Sequence, residues 1–226
     1  MRIGIIGAGM IGSTVAKLWV VAGHEVRLAS RHPEELAPLV KKLGARASAG
    51  TPAEAAEFGE VVMITVPLKA IPELARTVGP SLAGKVVLDT GNAYPQRDGD
   101  AARQATSHPQ GSAGWAAAMF PGARWVKALN TVYYKTLEKE AHRASDRVGI
   151  PLAGDDRGAL DVAAQLVRDA GFDPVVVGAL ARGREFEPGT RVYNTGMSGQ
   201  ELRRLFATRG GGEAAESRAS PPEATA

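Results

Sequence analysis

The stretch Gly7-Ala8-Gly9-Met10-Ile11-Gly12 has the residue types and spacing to receive a diphosphate. The first glycine permits a tight turn out of a strand. The second lets the backbone come close to an anion, and the third lets a helix pack on that strand. The flanks supply both elements: Ile3 to Ile6 reads as a buried strand, and Ser13 to Ala22 as a helix stopped by Gly23. Glu25 to Ala29 reads as a second strand. The free N–H groups and positive dipole end of the helix face the anion. Strand, G-x-G-x-x-G, helix and strand in this order form the dinucleotide-binding unit, so Gly7, Ala8, Gly9, Met10, Ile11 and Gly12 are expected to hold a pyrophosphate.

The end of the second strand selects the nucleotide. NAD-binding versions carry an acidic residue there for the ribose 2′-hydroxyl. Here the stretch is Leu28-Ala29-Ser30-Arg31-His32, without a carboxylate. Ser30 and Arg31 offer a hydroxyl and a guanidinium to a 2′-phosphate. A charge-assisted hydrogen bond of this kind is worth about 1.5–3 kcal/mol, which favours NADP(H). His32 either stacks near the adenine or faces water. Ligands of open α/β sheets lie beyond the carboxyl ends of the strands. Three further ends qualify: Thr65-Val66-Pro67, Asp89-Thr90-Gly91-Asn92 and Leu129-Asn130-Thr131-Val132. Thr65, Val66 and Pro67 are expected beside a ribose, with Asn92 and Asn130 orienting the carboxamide or the acceptor.

Other chemistries lack their residues. The chain has no cysteine, hence no thiolate or disulfide. No Ser/His/Asp set, carboxylate pair or metal-ligand spacing is visible. Asp155-Asp156 reads as the N-terminal charge of a helix, His24 as a solvated turn residue, and Lys127 as an exposed strand end, with a strand residue pointing toward the site as the alternative. Tyr94, Tyr133 and Tyr193 have no spacing that commends them as proton donors. No essential acid or base is therefore expected: hydride transfer needs alignment of two rings, and the cofactors carry the difficult chemistry.

The elements that must position these groups alternate. Strands are expected at 61–65, 85–89 and 124–129, with a short one at 45–47. Helices are expected over 34–43, from a Thr51-Pro52-Ala53-Glu54 capping box, through Val78, and over 112–120. Thr90 to Gly111 reads as mostly loop. This alternation is a doubly wound parallel sheet, a Rossmann-type α/β fold. A small C-terminal α/β part extends it, with a strand at 149–153 whose Pro151 suggests an edge. A helix over 155–170, a strand at 174–177 and mostly helix over 179–206 complete it. The expected organisation is one NADP-binding domain over 1–208 and a disordered tail over 209–226.

The 226 residues are 44% hydrophobic, enough for a sizeable core, and no apolar run reaches membrane-span length. Met1-Arg2 leads directly into a strand without a signal peptide, so a cytoplasmic protein is expected. The net charge of +3 is mild and its basic residues are scattered, which argues against nucleic-acid binding.

Taken together, these stretches resemble the NADPH-dependent reductases of the 8-hydroxy-5-deazaflavin coenzyme (F-420). They also resemble the related reductase domains of the six-transmembrane epithelial antigen ferric reductases. Ile5 to Gly12, Ser30-Arg31 and Ile64-Thr65-Val66-Pro67 carry the resemblance, with Val126-Lys127-Ala128-Leu129-Asn130-Thr131, Leu152-Ala153-Gly154-Asp155-Asp156 and Arg184-Glu185-Phe186-Glu187-Pro188. It implies a homodimer in which NADPH lies across the sheet and the deazaflavin, the co-substrate, stacks on the nicotinamide. It also implies that Asn130, Thr131 and Val132 face the deazaflavin ring. Asp89-Thr90-Gly91-Asn92-Ala93-Tyr94-Pro95 is closer to the ferric-reductase pattern, which leaves a flavin or ferric chelate as alternative acceptors. Imine or hydroxyacid reductases share the N-terminal half but add a long helical domain. A non-catalytic NADP-binding module is a further alternative.

Overall fold

The computed structural model of the chain describes residues 1–216. Its spine is an eight-stranded sheet of order β3-β2-β1-β4-β5-β6-β7-β8. The strands are β1 (Arg2–Ile6), β2 (Glu25–Ala29), β3 (Ala47–Gly50), β4 (Val61–Ile64), β5 (Val86–Asp89), β6 (Arg124–Lys127), β7 (Gly149–Gly154) and β8 (Asp173–Gly178). The first six run parallel. β7 meets β6 antiparallel, and β8 pairs parallel with β7. This is the Rossmann-type α/β sheet with a small C-terminal extension.

The helices are α1 (Met10–Val21), α2 (Ala37–Leu43), α3 (Pro52–Phe58), α4 (Ile71–Val78), α5 (Pro95–Asp98), α6 (Asp100–Ser107), α7 (Gly111–Ala117), α8 (Tyr134–Glu140), α9 (Arg157–Asp169) and α10 (Gly199–Glu216). They cover both faces of the sheet, so its central strand β4 is apolar throughout and every residue of it is buried. On one face Ile3, Ile5, Val26, Leu28, Met63 and Leu88 pack against α1 and α9. Trp19 of α1 is fully buried there, its indole N–H donating to the Leu166 carbonyl at 2.8 Å. On the other face Ile6, Val62, Ile64 and Val87 pack against α3, α4 and α7. Thr51 and Glu54 form the reciprocal cap that their spacing predicts at the start of α3.

Several expectations are corrected. Residues 90–111 are mostly helical rather than loop. α5 and α6 have no side-chain cap, but α6 buries Ala102 and Ala105, so packing outweighs weak local signals. Pro151 does not mark an edge strand, because β7 lies inside the sheet and β8 is its edge. The proline is tolerated because β6 pairs only with Ala153 and Gly154, beyond Pro151. Residues 179–206 are not mostly helix: a 3-10 segment, Leu180–Phe186, leads through turns to α10. α10 extends through the first eight residues of the expected tail, and 217–226 lie outside the described residues. His24 is buried rather than solvated, with its Nε2 2.9 Å from the Asp169 carboxylate and its Nδ1 3.3 Å from the terminal amine.

Candidate functional site

The nucleotide loop is shaped by its glycines in three different ways. Gly7 has φ +111°, and a Cβ there would lie 2.4 Å from the Thr65 carbonyl oxygen. At Gly12 a Cβ would lie 2.0 Å from the Gly7 carbonyl oxygen. Both contacts hold strand and helix together. Gly9 is the N-cap of α1 and is exposed, and a Cβ there would meet nothing within 4 Å. The open backbone above the N-terminus of a 12-residue helix fits a pyrophosphate. Ala8 and Ile11 are half-buried at the rim, and Met10 is exposed.

At the end of β2 the Ser30 hydroxyl accepts from the His32 backbone N–H at 3.0 Å, which folds the turn. Arg31 is exposed and has no ion pair or hydrogen bond among the described residues. His32 is exposed, with Nδ1 3.5 Å from the Glu34 carboxylate. A free guanidinium beside a hydroxyl, with no carboxylate at the strand end, fits a 2′-phosphate.

A cleft of about 280 Å³ opens at the carboxyl ends of β1, β4, β5 and β6. Met10 and Ile11 border it on one side and Thr65, Val66 and Pro67 line its middle. Asn92, Asn130 and Val132 stand opposite. The ends of β4, β5 and β6 thus converge on one space, whereas Thr131 is buried behind its lining and Ser30, Arg31 and His32 stand outside it.

All four tyrosines of the chain, Tyr94, Tyr133, Tyr134 and Tyr193, also line this cleft. They are scattered in sequence, and spacing gave no sign of them. Tyr133 and Tyr134 meet edge to face with ring centroids 4.6 Å apart. The Tyr94 and Tyr193 hydroxyls hydrogen-bond to each other across the cleft. Burial, with the Tyr94 hydrogen bond next, pushes the Tyr193 phenol above its ordinary pKa and keeps its proton on. The Arg97 guanidinium lies over the Tyr94 ring, 4.7 Å from its centroid, and also donates to the Asn92 carbonyl at 2.9 Å.

The far wall is fixed by paired amides. Asn92 Nδ2 donates to the Asn130 carbonyl at 2.8 Å, and Asn130 Nδ2 donates to Asn92 Oδ1 at 3.0 Å and to the Phe186 carbonyl at 3.1 Å. Leu129, with φ +59°, turns the chain out of β6 so that this pairing can form. A left-handed leucine is strained, and such strain persists only where surrounding contacts enforce it. Asn130 Oδ1 and the Thr131 hydroxyl are buried without a protein partner, as suits groups that meet a ligand.

Two further sequence readings resolve here. Asp156 is the N-cap of α9, accepting from the Ala159 N–H at 2.7 Å and from Arg124. The Arg124 guanidinium, with that N–H, holds its carboxyl down to about 2. Lys127 is not an exposed strand end: it is fully buried beneath the cleft floor. Among the described residues no group of three or more His, Asp or Glu could hold a metal, and no helix is long and apolar enough to cross a membrane.

The fold is of the Rossmann type, and the chain is similar to NADP-dependent oxidoreductases. Residues 2–93 match the model of the family described as "NADP oxidoreductase coenzyme F420-dependent". The chain is 28% identical over 186 residues to the metalloreductase STEAP3 of Rattus norvegicus, which covers 82% of this chain and 36% of that protein. The chain thus spans about a third of that relative's length. It is 29% identical over 204 residues to the F420-dependent NADP reductase of Methanothermobacter marburgensis, covering 83% and 88%. A crystal structure of a hypothetical protein from Sinorhizobium meliloti superposes with a TM-score of 0.74 at 28% identity, covering 85% of this chain and 92% of that one. The resemblance read from the sequence is borne out by these matches.

Proposed function

We propose that the protein transfers a hydride from NADPH to a planar ring acceptor seated in the tyrosine-lined cleft, most closely a deazaflavin of the F-420 type. The observation that carries the proposal is the convergence of all four tyrosines on the cleft beside Thr65, Val66 and Pro67. Aromatic walls stack on a flat ring and exclude water from it. NADPH, when bound, supplies the hydride. Gly9 and the α1 N-terminus receive its pyrophosphate, and Ser30 and Arg31 its 2′-phosphate. Thr65, Val66 and Pro67 back the nicotinamide end. Asn130 and Val132 form the wall against which the acceptor packs, with Thr131 buried behind it and Asn92 holding it in place. A cytoplasmic homodimer belongs to the same proposal, and sedimentation at micromolar concentration tests the dimer.

A second reading is favoured by the Tyr94–Tyr193 pair. Reduction of a carbonyl or imine needs a positioned proton donor, and a phenol kept protonated beside the cleft can supply one. One experiment separates the readings. Purified protein and NADPH are assayed at 340 nm with deazaflavin, flavin, ferric chelate, cyclic imine and ketone acceptors. The proposal expects the deazaflavin to give the fastest turnover, with a gentle pH dependence and most activity retained in Tyr94→Phe. Turnover of imines or ketones alone, abolished in Tyr94→Phe with NADPH still bound, replaces it with the second reading. NADPH binding without turnover of any acceptor removes both.

A further inference from the structure

We propose that Lys127 is a positioning residue: its buried ammonium pins the floor of the cleft and so sets the geometry of the Asn92–Asn130 wall. The inference rests on the hydride-transfer reading above. Lys127 lies in β6, between β5 and β7, and is fully buried. A lone charge there is costly, and an apolar side chain of similar volume is often no less stable than a buried ion pair. Stability alone is therefore a weak reason for an ammonium at this position.

Its partners supply a stronger one. Lys127 Nζ donates to the Gly91 carbonyl at 2.7 Å and to the Ser112 hydroxyl at 2.9 Å. The Glu187 and Asp89 carboxylates stand 3.5 and 3.9 Å away. Asp89 Oδ1 accepts from the Gly91 N–H at 2.7 Å. Gly91 is thus gripped at its N–H by Asp89 and at its carbonyl by Lys127, and the next residue is Asn92. On its other side Lys127 reaches Ser112, which donates through its N–H and hydroxyl to Glu187. Glu187 follows Phe186, whose carbonyl receives Asn130. The polar contacts close into a ring through the ends of β5 and β6, the start of α7 and the segment after the 3-10 turn. Gly183 leaves space for the lysine stem: a Cβ there would lie 2.7 Å from Lys127 Cδ. None of this touches the glycine loop or Arg31, so the lysine acts on alignment and not on nucleotide affinity.

Lys127→Met keeps the stem and removes the charge. Its kcat is expected to fall about 10²-fold, the cost of a misplacement of roughly 1 Å, with the KM and Kd for NADPH nearly unchanged. Fluorescence of bound NADPH gives a readout without turnover: the nicotinamide emission should shift in the variant at unchanged Kd. Ser112→Ala removes one link of the ring and should show both effects more weakly. A folded Lys127→Met with parental kcat and parental bound-NADPH emission overturns the proposal. So does a loss of NADPH affinity in step with melting temperature, which marks a merely structural lysine. If Lys127→Met does not fold, Ser112→Ala decides by the same two readouts. If the parent turns over no acceptor, the functional reading fails while the emission still tests the role of Lys127.

Discussion

The two walls of the cleft are built by different means. On the side proposed for the nucleotide, residues 7–12 and 30–31 fall within one strand–helix–strand unit, where the glycine loop offers main-chain N–H groups and Ser30 and Arg31 offer side chains. On the side proposed for the acceptor, the contacts join distant segments. Asn92 and Asn130 are 38 residues apart, Ser112 and Glu187 75, and Tyr94 and Tyr193 99. A phosphate site is a property of a local turn and a helix end, whereas a ring site is a property of how remote side chains are brought together. The first permits little variation. The second is where one fold can change acceptors.

Substitutions at two glycines test the local character of the nucleotide wall. Gly7→Ala forces a Cβ against the Thr65 carbonyl at positive φ, and should destabilise the fold by about 3 kcal/mol or more. Gly9→Ala meets open space, so its melting temperature should match the parent while its NADPH affinity drops. Thermal unfolding and a binding titration on both variants check this; equal melting losses would show that Gly9 serves the fold as Gly7 does.

A smaller effect sharpens the nucleotide side. Arg31→Ala should weaken NADPH binding by about 1.5–3 kcal/mol and leave NADH nearly unchanged. Competitive titration of both nucleotides gives the difference, and equal losses would remove Arg31 from the 2′-phosphate.

The smallest effect lies away from both walls, at the opposite end of β6, where Arg124 holds Asp156 at the start of α9. The Asp156 carboxyl is depressed to about 2 from 3.8. A depressed carboxyl stabilises the fold above its unfolded value and loses that contribution as pH falls through its folded value. Asp156→Asn should therefore melt below the parent at pH 7, and the two should converge as pH falls from about 4 to about 2. A gap that persists at pH 2 would assign the effect to packing and not to charge.

The glycine loop, the Ser30-Arg31 strand end and the alternation of strands and helices were legible in the sequence because each depends on neighbours within a few residues. The Thr51 cap and the acidic start of α9 at Asp155-Asp156 were legible for the same reason. The segment 90–111 was not, since its short helices lack caps and draw their stability from Ala102 and Ala105 packing inward. Lys127 reads as a surface residue by type and is buried where a carbonyl, a hydroxyl and two carboxylates from remote segments surround it. His24 lies between α1 and β2 and is buried with its ring against Asp169, the last residue of α9. The four tyrosines leave no trace in spacing, because they meet only where their separate segments converge on the cleft. The sequence by itself thus determined the strand, glycine loop, helix and strand of the N-terminal unit and the alternation of strands and helices, because hydrogen bonds between near neighbours and side-chain periodicity encode them. Only the tertiary structure decided the Asn92–Asn130 wall and the tyrosine lining of the cleft, since a contact between residues 38 to 99 positions apart exists once the sheet has formed and not before.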